Sequence, residues 1–126
     1  MKHLFLILFS FALVNLAVGQ GKKADDIAKF SSETVDMGKL KLNNPVTATF
    51  TVTNISKEDL VIENVTPGCG CTKSDYTKEP IKPGKTGTIT ATYNAATPGK
   101  FTKTVTVKFL GADEPKNLVI VGTVEQ

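Results

Sequence analysis

Three segments of this chain alternate between apolar residues and mostly threonine, and this alternation constrains the fold more than any other feature. The apolar positions are Val46, Ala48, Phe50 and Val52 in the first segment, Ile89, Ala91 and Tyr93 in the second, and Phe101, Val105, Val107 and Phe109 in the third. Lys103 is the one charged residue in the apolar phase. Because successive side chains of a strand point to opposite faces, each segment predicts a strand with one buried and one solvated face. Such strands are typical of antiparallel sheets.

Three further strands are predicted from less regular patterns at residues 30–37, 60–65 and 118–124. Gly122 lies inside the last of them, where a glycine indicates a β-bulge or a close backbone approach. Pro83–Gly84 predicts a type II turn. No stretch of ten or more residues beyond the N-terminal apolar run has a helical period. We therefore predict an all-β fold, an immunoglobulin-like β-sandwich of about seven antiparallel strands.

The first 19 residues have the features of a secretory signal peptide. Lys2 and His3 give a positive start, and residues 4–18 form an apolar run that is short for a membrane span. Ala17 and Gly19 supply the small residues of a cleavage site. We predict a signal peptide at 1–19, a flexible leader at 20–29 and a sandwich domain at 30–126. The mature protein is expected in the periplasm or outside the cell, without a stable membrane span.

The composition excludes several classes of function. All fifteen basic residues are lysine, and with twelve acidic residues the net charge is +3. This small and scattered excess does not predict binding to nucleic acid. The single histidine, His3, lies in the predicted signal peptide, so the mature chain has no histidine base for a Ser-His-Asp or Cys-His site. We therefore expect no enzyme and no cofactor.

The only two cysteines, Cys69 and Cys71, flank Gly70 in a glycine-rich turn after a predicted strand. Residues two apart place their Cα atoms about 5–7 Å apart, which overlaps the range that a disulfide permits. An exported chain also meets an oxidising environment. The closed loop is so short that a bridge would stabilise the fold by only about 1.6 kcal/mol through chain entropy. A disulfide here is predicted to lock the turn locally, and packed thiols are the other structural interpretation.

The same two sulfurs permit two other chemistries. As thiolates, Cys69 and Cys71 suit two-coordinate Cu(I), whereas a zinc site in the predicted mature chain would lack histidine and have only Met37 as a further sulfur ligand. A small disulfide ring is also easier to reduce than a structural one, which allows redox or thiol exchange. Against exchange, no Cys-x-x-Cys motif and no helix N-terminus is predicted to activate a thiolate. Copper binding and thiol exchange therefore stay open as alternatives.

Lysines cluster in the segment after the cysteines, which we predict to be a loop. They are Lys73, Lys78, Lys82 and Lys85, with Tyr76 among them. Lys73, Tyr76 and Lys78 are the candidate contacts for an acidic partner. The competing interpretation is a solvated loop without a partner.

An ordered series of short motifs resembles a known family. The motifs are Asp36-Met-Gly38, Phe50-x-Val52-x-Asn54, Leu60-x-Ile62-x-x-Val65, Cys69-Gly-Cys71-Thr72, Ile81-x-Pro83-Gly84-x-x-Gly87-x-Ile89 and Gly99-x-Phe101, followed by an apolar strand with Gly122. Spanning residues 30–124, the series resembles the exported bacterial domain-of-unknown-function family fifteen seventy-three. The turns at 55–57 and 110–111 depart from the family pattern. The resemblance implies export and an immunoglobulin-type sandwich similar to those of Hydin and major-sperm-protein-like modules. It implies no activity, since the family has none defined.

Two functional hypotheses follow. The first is an exported, non-enzymatic module that presents loops or an edge strand to an envelope or extracellular protein. The second is a thiol-based copper-binding or disulfide-exchange protein that acts through Cys69 and Cys71. The first is favoured because the sequence contains no catalytic constellation outside one turn. The identity of the partner and the oligomeric state are not predicted.

Overall fold

Two four-stranded sheets, packed face to face, make up most of the structure, a computed structural model that describes residues 22–126. The strands are β1 (Lys22–Lys23), β2 (Ala28–Phe30), β3 (Thr34–Lys41), β4 (Val46–Asn54), β5 (Ile62–Pro67), β6 (Thr72–Tyr76), β7 (Thr86–Tyr93), β8 (Gly99–Phe109), β9 (Ala112–Glu114) and β10 (Lys116–Glu125). A four-residue helix, α1 (Ala24–Ile27), follows β1. The all-β prediction is confirmed, and the predicted signal peptide at 1–19 lies outside the described residues.

The sheets differ in strand direction. The sheet β2-β4-β7-β6 is antiparallel throughout. In the sheet β3-β10-β8-β5, the edge strand β3 runs parallel to β10, and the other pairs are antiparallel. β1 and β9 form a separate parallel pair. The described residues form ten strands, so the predicted number of about seven is wrong. The predicted antiparallel direction is confirmed for every pairing except those of β1 with β9 and β3 with β10.

The parallel pairing arises where the chain crosses from one sheet to the other. Residues 30–37, predicted as one strand, divide into the end of β2 and the start of β3. Ser31 still donates its amide to Thr51 of β4 at 2.9 Å, whereas Glu33 accepts the amide of Val119 of β10 at 2.9 Å. The chain thus passes from one sheet to the other within residues 31–33. It enters the second sheet as β3, beside and parallel to β10.

The predicted alternation is confirmed by the core. The fully buried side chains of the four central strands are Phe50 and Val52 from β4, Ile89 and Ala91 from β7, Val105, Val107 and Phe109 from β8, and Leu118 and Ile120 from β10. Removal of this apolar surface from water is the main stabilising contribution to such a fold. Lys103, in the apolar phase of β8, is half-buried, and its amine lies 5.9 Å from the centre of the Tyr93 ring.

The segment predicted as a flexible leader belongs to the fold from Lys22 onward. Ala24, Ile27 and Ala28 are buried in the core. The spacing of Ala24 and Ile27 puts both on one face of α1, which a single helical turn suffices to bury. The surrounding lysines and aspartates give the segment its polar composition, and for that reason composition alone suggested a leader.

Lys116, at the start of β10, holds this N-terminal segment against β10 through two ion pairs. Its amine lies 2.7 Å from Asp25 Oδ1 and 2.6 Å from Glu33 Oε1, and its side chain is only 15% exposed. Hydrogen bonds first to Asp25 and then to Glu33 raise the pKa of Lys116 above the ordinary lysine value of 10.5. The stabilisation is therefore fully present below pH 10.5 and is lost as the pH rises through the raised pKa.

Replacement of Lys116 with methionine is expected to lower the free energy of unfolding by about 1 kcal/mol at pH 8, because the apolar stem remains while both ion pairs disappear. The difference from the wild type should shrink as the pH rises above 10.5 through the raised pKa, where the wild-type amine also loses its charge. Urea unfolding at pH 8 and at a series of pH values above 10.5 measures this. Lys39→Met is the matched control, since Lys39 pairs with Glu125 at 3.7 Å between exposed side chains. A loss independent of pH would contradict the electrostatic account.

Candidate functional site

A disulfide between Cys69 and Cys71 closes the turn that connects β5 with β6. The two Cα atoms are 5.3 Å apart, within the range expected for neighbours separated by one residue. Both cysteines are half-buried, and Gly70 between them is exposed. The bridged turn therefore lies at the surface with its sulfur atoms partly accessible.

Backbone hydrogen bonds fasten the bridged turn to both sheets. Gly68 donates its amide to Thr104 of β8 at 2.8 Å. On the other side, Cys71 accepts the amide of Asn94 just beyond β7 at 2.9 Å. A side chain at Gly68 would place its Cβ 3.1 Å from the Thr104 carbonyl oxygen, so this approach favours glycine. The turn is thus held at each end by a different sheet.

Thr72 lies beneath the two sulfurs. Its side chain is buried, and its hydroxyl oxygen is 3.9 Å from Cys69 Sγ and 3.8 Å from Cys71 Sγ. The hydroxyl is therefore placed to donate to a sulfur that carries negative charge. Among residues 22–126, no three or more His, Cys, Asp or Glu side chains are grouped to hold a metal ion. A metal at this turn would have the two sulfurs as its ligands, a donor set that suits Cu(I).

Replacement of both Cys69 and Cys71 with serine is expected to lower the free energy of unfolding by at most about 1.6 kcal/mol, because the closed loop is only three residues long. The local effect should be larger: the amides of residues 70–72 are expected to exchange with solvent faster, while that of Val107 in the core is unchanged. Hydrogen exchange and urea unfolding measure the two effects. A loss above about 3 kcal/mol would show that the bridge braces the whole fold.

The predicted lysine-rich loop is in part a strand, β6. Lys73 is exposed on β6 directly after the bridged turn, and Tyr76 ends the strand. The hydroxyl of Tyr76 donates to the backbone oxygen of Glu63 at 3.3 Å. The amine of Lys78 lies 3.2 Å from the centre of the Tyr76 ring, a cation–π contact. The structure therefore joins Tyr76 and Lys78 and leaves Lys73 at the other end of the strand.

Asp75, which was not among the predicted site residues, lies on β6 between Lys73 and Tyr76. Its Oδ1 accepts the amide of Tyr76 at 2.8 Å and is 3.4 Å from the amine of Lys78. The hydrogen bond from the Tyr76 amide, followed by the contacts with Lys78, lowers the pKa of Asp75 below its ordinary value. Asp75 is thus a fixed negative charge in a surface that the sequence suggested to be positive.

The other two lysines of the predicted cluster lie elsewhere in the fold. Lys82 and Lys85 flank the turn before β7, where the amide of Lys85 donates to Lys82 at 2.9 Å. Gly84 has a φ of +78°, so the predicted type II turn is confirmed. This turn is bonded to Asn54 at the end of β4. The four lysines therefore do not follow the cysteines as one loop.

A shallow depression of about 260 Å³ lies beside the bridged turn. The residues that line it are Pro45, Gly70, Cys71, Lys73, Thr92 and Asn94. Thr92 is held in place by its hydroxyl, which is 2.7 Å from that of Thr47 on the neighbouring strand. An apolar floor of proline and disulfide with a polar rim carrying one lysine can accept a small apolar group and a neighbouring acidic one.

This fold is a β-sandwich in which a disulfide-bridged turn connects an edge strand of one sheet to an edge strand of the other. The family described as protein of unknown function, DUF1573, matches residues 28–124, and the chain belongs to this family. The resemblance seen in the sequence motifs is therefore confirmed. No curated protein matches the chain. Within the described part of the chain, no helix is long and apolar enough to cross a membrane.

Solved structures similar to this one share its fold at low sequence identity. A protein of unknown function from Porphyromonas gingivalis W83 has a TM-score of 0.67 at 14% identity, covering 77% of this chain and 46% of its own. The ASH/PapD-like domain 7 of human CEP192 has a TM-score of 0.63 at 8% identity, with 99% of each chain covered. The YadV chaperone has a TM-score of 0.57 at 12% identity, covering 79% and 53%. The chain thus spans less than half of the Porphyromonas protein.

Proposed function

We propose that this protein is an exported, non-enzymatic module that binds another protein in the cell envelope or the extracellular space. The observation that supports the proposal most strongly is the bridged turn with its adjoining depression. Residues 68–72 are fixed by a disulfide and by backbone bonds to both sheets. A preorganised turn loses little conformational entropy when it binds, which favours its use as a contact surface.

The chemistry of the depression indicates the kind of segment that would fit it. Pro45 and the Cys71 side of the bridge offer apolar surface, Thr92 and Asn94 offer hydrogen-bonding groups, and Lys73 adds one positive charge. A partner loop with an apolar residue next to a carboxylate matches these three properties. Lys73 is therefore retained as a contact residue, with Tyr76 at the end of β6 and Lys78 two residues beyond it.

Three observations support export and protein binding. The first 19 residues have the charge, apolar length and cleavage site of a signal peptide. A disulfide also persists best in an oxidising compartment outside the cytoplasm. Among the structural neighbours, YadV is a chaperone, a class of protein that acts on other proteins. Since a fold hosts many functions, this likeness supports a structural or binding role and no particular partner.

A thiol-based role is the second candidate, and the placement of Thr72 favours it. Its hydroxyl lies within 3.9 Å of both sulfurs, where it would donate to a thiolate once the bridge is reduced. In disulfide exchange, the bridge would accept two electrons from a partner dithiol, which becomes a disulfide. In copper binding, reduced Cys69 and Cys71 would hold one Cu(I) between them.

Photo-crosslinking tests the binding proposal. A photoreactive residue placed at Asn94, on the exposed rim of the depression, is expected to capture a different protein in the envelope fraction. The same residue at Thr102, exposed on the other sheet, is the control and should capture none. Equal capture at both positions, or none at either, would contradict the proposed surface.

Intact mass of the protein recovered without reductant separates the two candidates. A mature chain that starts at Gln20, is two hydrogens lighter than the dithiol and resists alkylation supports the exported binding module. A chain that retains residues 1–19 would contradict export. Quickly alkylated thiols, or a mass that includes copper, would favour the thiol-based role at Cys69 and Cys71.

A further inference from the structure

Four strands form the lateral edges of the two sheets, and three of them are obstructed against a further strand. β2 has only three residues. On β3, Asp36 Oδ1 already accepts the amide of Gly38 at 2.8 Å. On β5, Pro67 has no amide hydrogen, and the Val65 oxygen accepts the hydroxyl of Ser74 at 3.2 Å. Such devices prevent unwanted pairing at sheet edges. On β6 they occupy only the two ends, where the Tyr76 amide donates to Asp75 Oδ1 at 2.8 Å and the Thr72 amide donates to the Cys69 oxygen at 3.4 Å, and the centre of the strand is open.

The backbone direction of β6 follows from its hydrogen bonds to β7. Cys71 accepts the amide of Asn94, and the amide of Thr77 donates to Thr88 at 3.0 Å. In an antiparallel pair, the residues that bond to one neighbour alternate with those that face away from it. Odd-numbered residues of this segment therefore face β7. The N–H and C=O groups of Ser74, at the middle of β6, point to the open side.

The charges of β6 are arranged symmetrically around this residue. Lys73 and Asp75 lie on either side of Ser74, and both side chains are exposed. If a second copy pairs antiparallel with Ser74 opposite Ser74, each Lys73 lies opposite the other copy's Asp75. This register also places the outward N–H and C=O of Ser74 in one copy opposite those in the other copy, which allows two backbone hydrogen bonds between the copies. β6 is therefore complementary to itself in charge and in hydrogen bonding.

The neighbouring registers lack this complementarity. A slip of two residues in one direction places Lys73 opposite Lys73, and in the other direction it places Asp75 opposite Asp75. Like charges directly opposite each other destabilise a strand pair. A slip of one residue places the outward-facing N–H and C=O groups of one copy opposite residues of the other copy whose N–H and C=O groups already bond to β7. Only the register centred on Ser74 satisfies both conditions.

In the register centred on Ser74, Oδ2 of Asp75 is available to pair with Lys73 of the second copy. Its contacts with the Tyr76 amide and the Lys78 amine both use Oδ1. Oδ2 can accept the lysine of a second copy without loss of either contact. The internal pair thus holds the carboxylate in place for the cross-strand one.

We propose that two copies of this chain pair antiparallel through β6, with a two-fold axis at Ser74. The two sheets β2-β4-β7-β6 then form one continuous sheet of eight strands. Such an interface is isologous, since each copy contributes the same patch. With a contact strand of five residues, the dimer is expected to form and dissociate with concentration. The proposal goes beyond the binding of another protein at the bridged turn and does not depend on it.

A charge swap tests the register. Sedimentation velocity of the purified chain from about 10 μM to 1 mM should show a monomer–dimer equilibrium, a range suited to small interfaces. Lys73→Asp and Asp75→Lys are each expected to raise the dissociation constant about tenfold or more, because both place like charges opposite each other. The double variant K73D/D75K restores opposite charges and should restore the dimer. Lys57→Asp, an equal change of charge at an exposed residue, is the matched control.

Backbone pairing is tested separately with Ser74→Pro, which removes the outward amide hydrogen. This variant is expected to stay folded, since that amide does not bond to β7, and to remain monomeric. In the wild type, the Ser74 amide should exchange more slowly at 1 mM than at 10 μM. A monomer at every concentration would overturn the proposal. So would a dimer insensitive to Ser74→Pro, or single charge variants that the double variant does not rescue.

Discussion

Replacement of Asn54 with alanine is expected to lower the free energy of unfolding by about 3 kcal/mol, although the residue is polar and contributes nothing to apolar burial. The side chain is 1% exposed. Its amide nitrogen donates to the backbone oxygens of Glu58 at 2.7 Å and Ile81 at 2.8 Å. Its oxygen accepts the amide of Ser56 at 2.8 Å and the hydroxyl of Ser56 at 2.7 Å. The amide is therefore fully hydrogen-bonded.

The size of the effect depends on what the lost side chain leaves behind. The Ile81 oxygen keeps a second bond, from the amide of Leu60 at 2.8 Å, so it is not left without a donor. The groups of Ser56 and Glu58 lie nearer the surface and can turn to water. The expected loss is therefore that of four net hydrogen bonds at about 1 kcal/mol each, less what water recovers, plus a small cavity.

Asn54→Asp distinguishes hydrogen bonding from shape. The carboxylate keeps the oxygen that bonds to Ser56 but opposes the carbonyls of Glu58 and Ile81 without a donor. A loss at least as large as that of the alanine variant is expected at pH 7. Burial beside two carbonyls raises the pKa of this carboxyl, so protonation at about pH 4 restores one donor and part of the stability should return.

Urea unfolding of both variants at pH 7 and pH 4 measures the two effects. Asn64→Ala is the matched control, because Asn64 is exposed and donates only to Thr66 at 3.3 Å. Its expected change is within about 0.5 kcal/mol. An equally small change for Asn54→Ala would contradict the prediction. It would show that the Asn54 amide does not hold the end of β4 to the segments that contain Glu58 and Ile81.

The sequence predicts the strands that bury one face and solvate the other. On β4, β7 and β8, the buried apolar side chains all lie at alternate positions. The two-residue period of the sequence therefore predicts directly which side chains form the core. The type II turn at Gly84 and the close approach at Gly122 are predictable for a similar reason, since each depends on a property of one residue. These features need no knowledge of which strands become neighbours.

The features that the sequence did not predict depend on distant parts of the chain. β6 buries little apolar side chain, so Lys73 and Tyr76 resembled a solvated loop until β7 was known to lie beside them. The parallel direction of β3 depends on the crossing at 31–33, which has no distinctive residue type. The N-terminal segment appeared polar because only a few of its residues, such as Ile27, face the core.

The candidate site was predicted in the same incomplete way. Cys69 and Cys71 are separated by a single residue in the sequence, so their proximity was evident before the structure. The depression beside them also needs Pro45 and Asn94, which lie 24 residues before Cys69 and 25 after it along the chain. Because sheet pairing brings these segments together, sequence spacing could not place them at the turn.

Gly122→Ala is expected to lower the free energy of unfolding by about 2–4 kcal/mol, because a single methyl group meets two neighbours at once. The added Cβ would lie 2.7 Å from Phe101 Cζ and 2.8 Å from the Gly38 oxygen. The ring of Phe101 stacks on that of Tyr93 at 4.2 Å, which limits its movement. The Gly38 oxygen belongs to the neighbouring strand β3, so relief requires that β3 move away from β10.

A second substitution separates the two contacts. In the variant that combines Gly122→Ala with Phe101→Leu, the shorter side chain relieves the contact with the ring but not that with the Gly38 oxygen. Only part of the stability should therefore return, relative to Phe101→Leu alone. Gly70→Ala is the matched control, since a Cβ there has no heavy atom within 4 Å, and its expected change is within about 0.5 kcal/mol. Full recovery in the double variant would show that the ring alone requires glycine at this position. No recovery would assign the requirement to the backbone of β3, whose parallel pairing with β10 then depends on the absence of one methyl group.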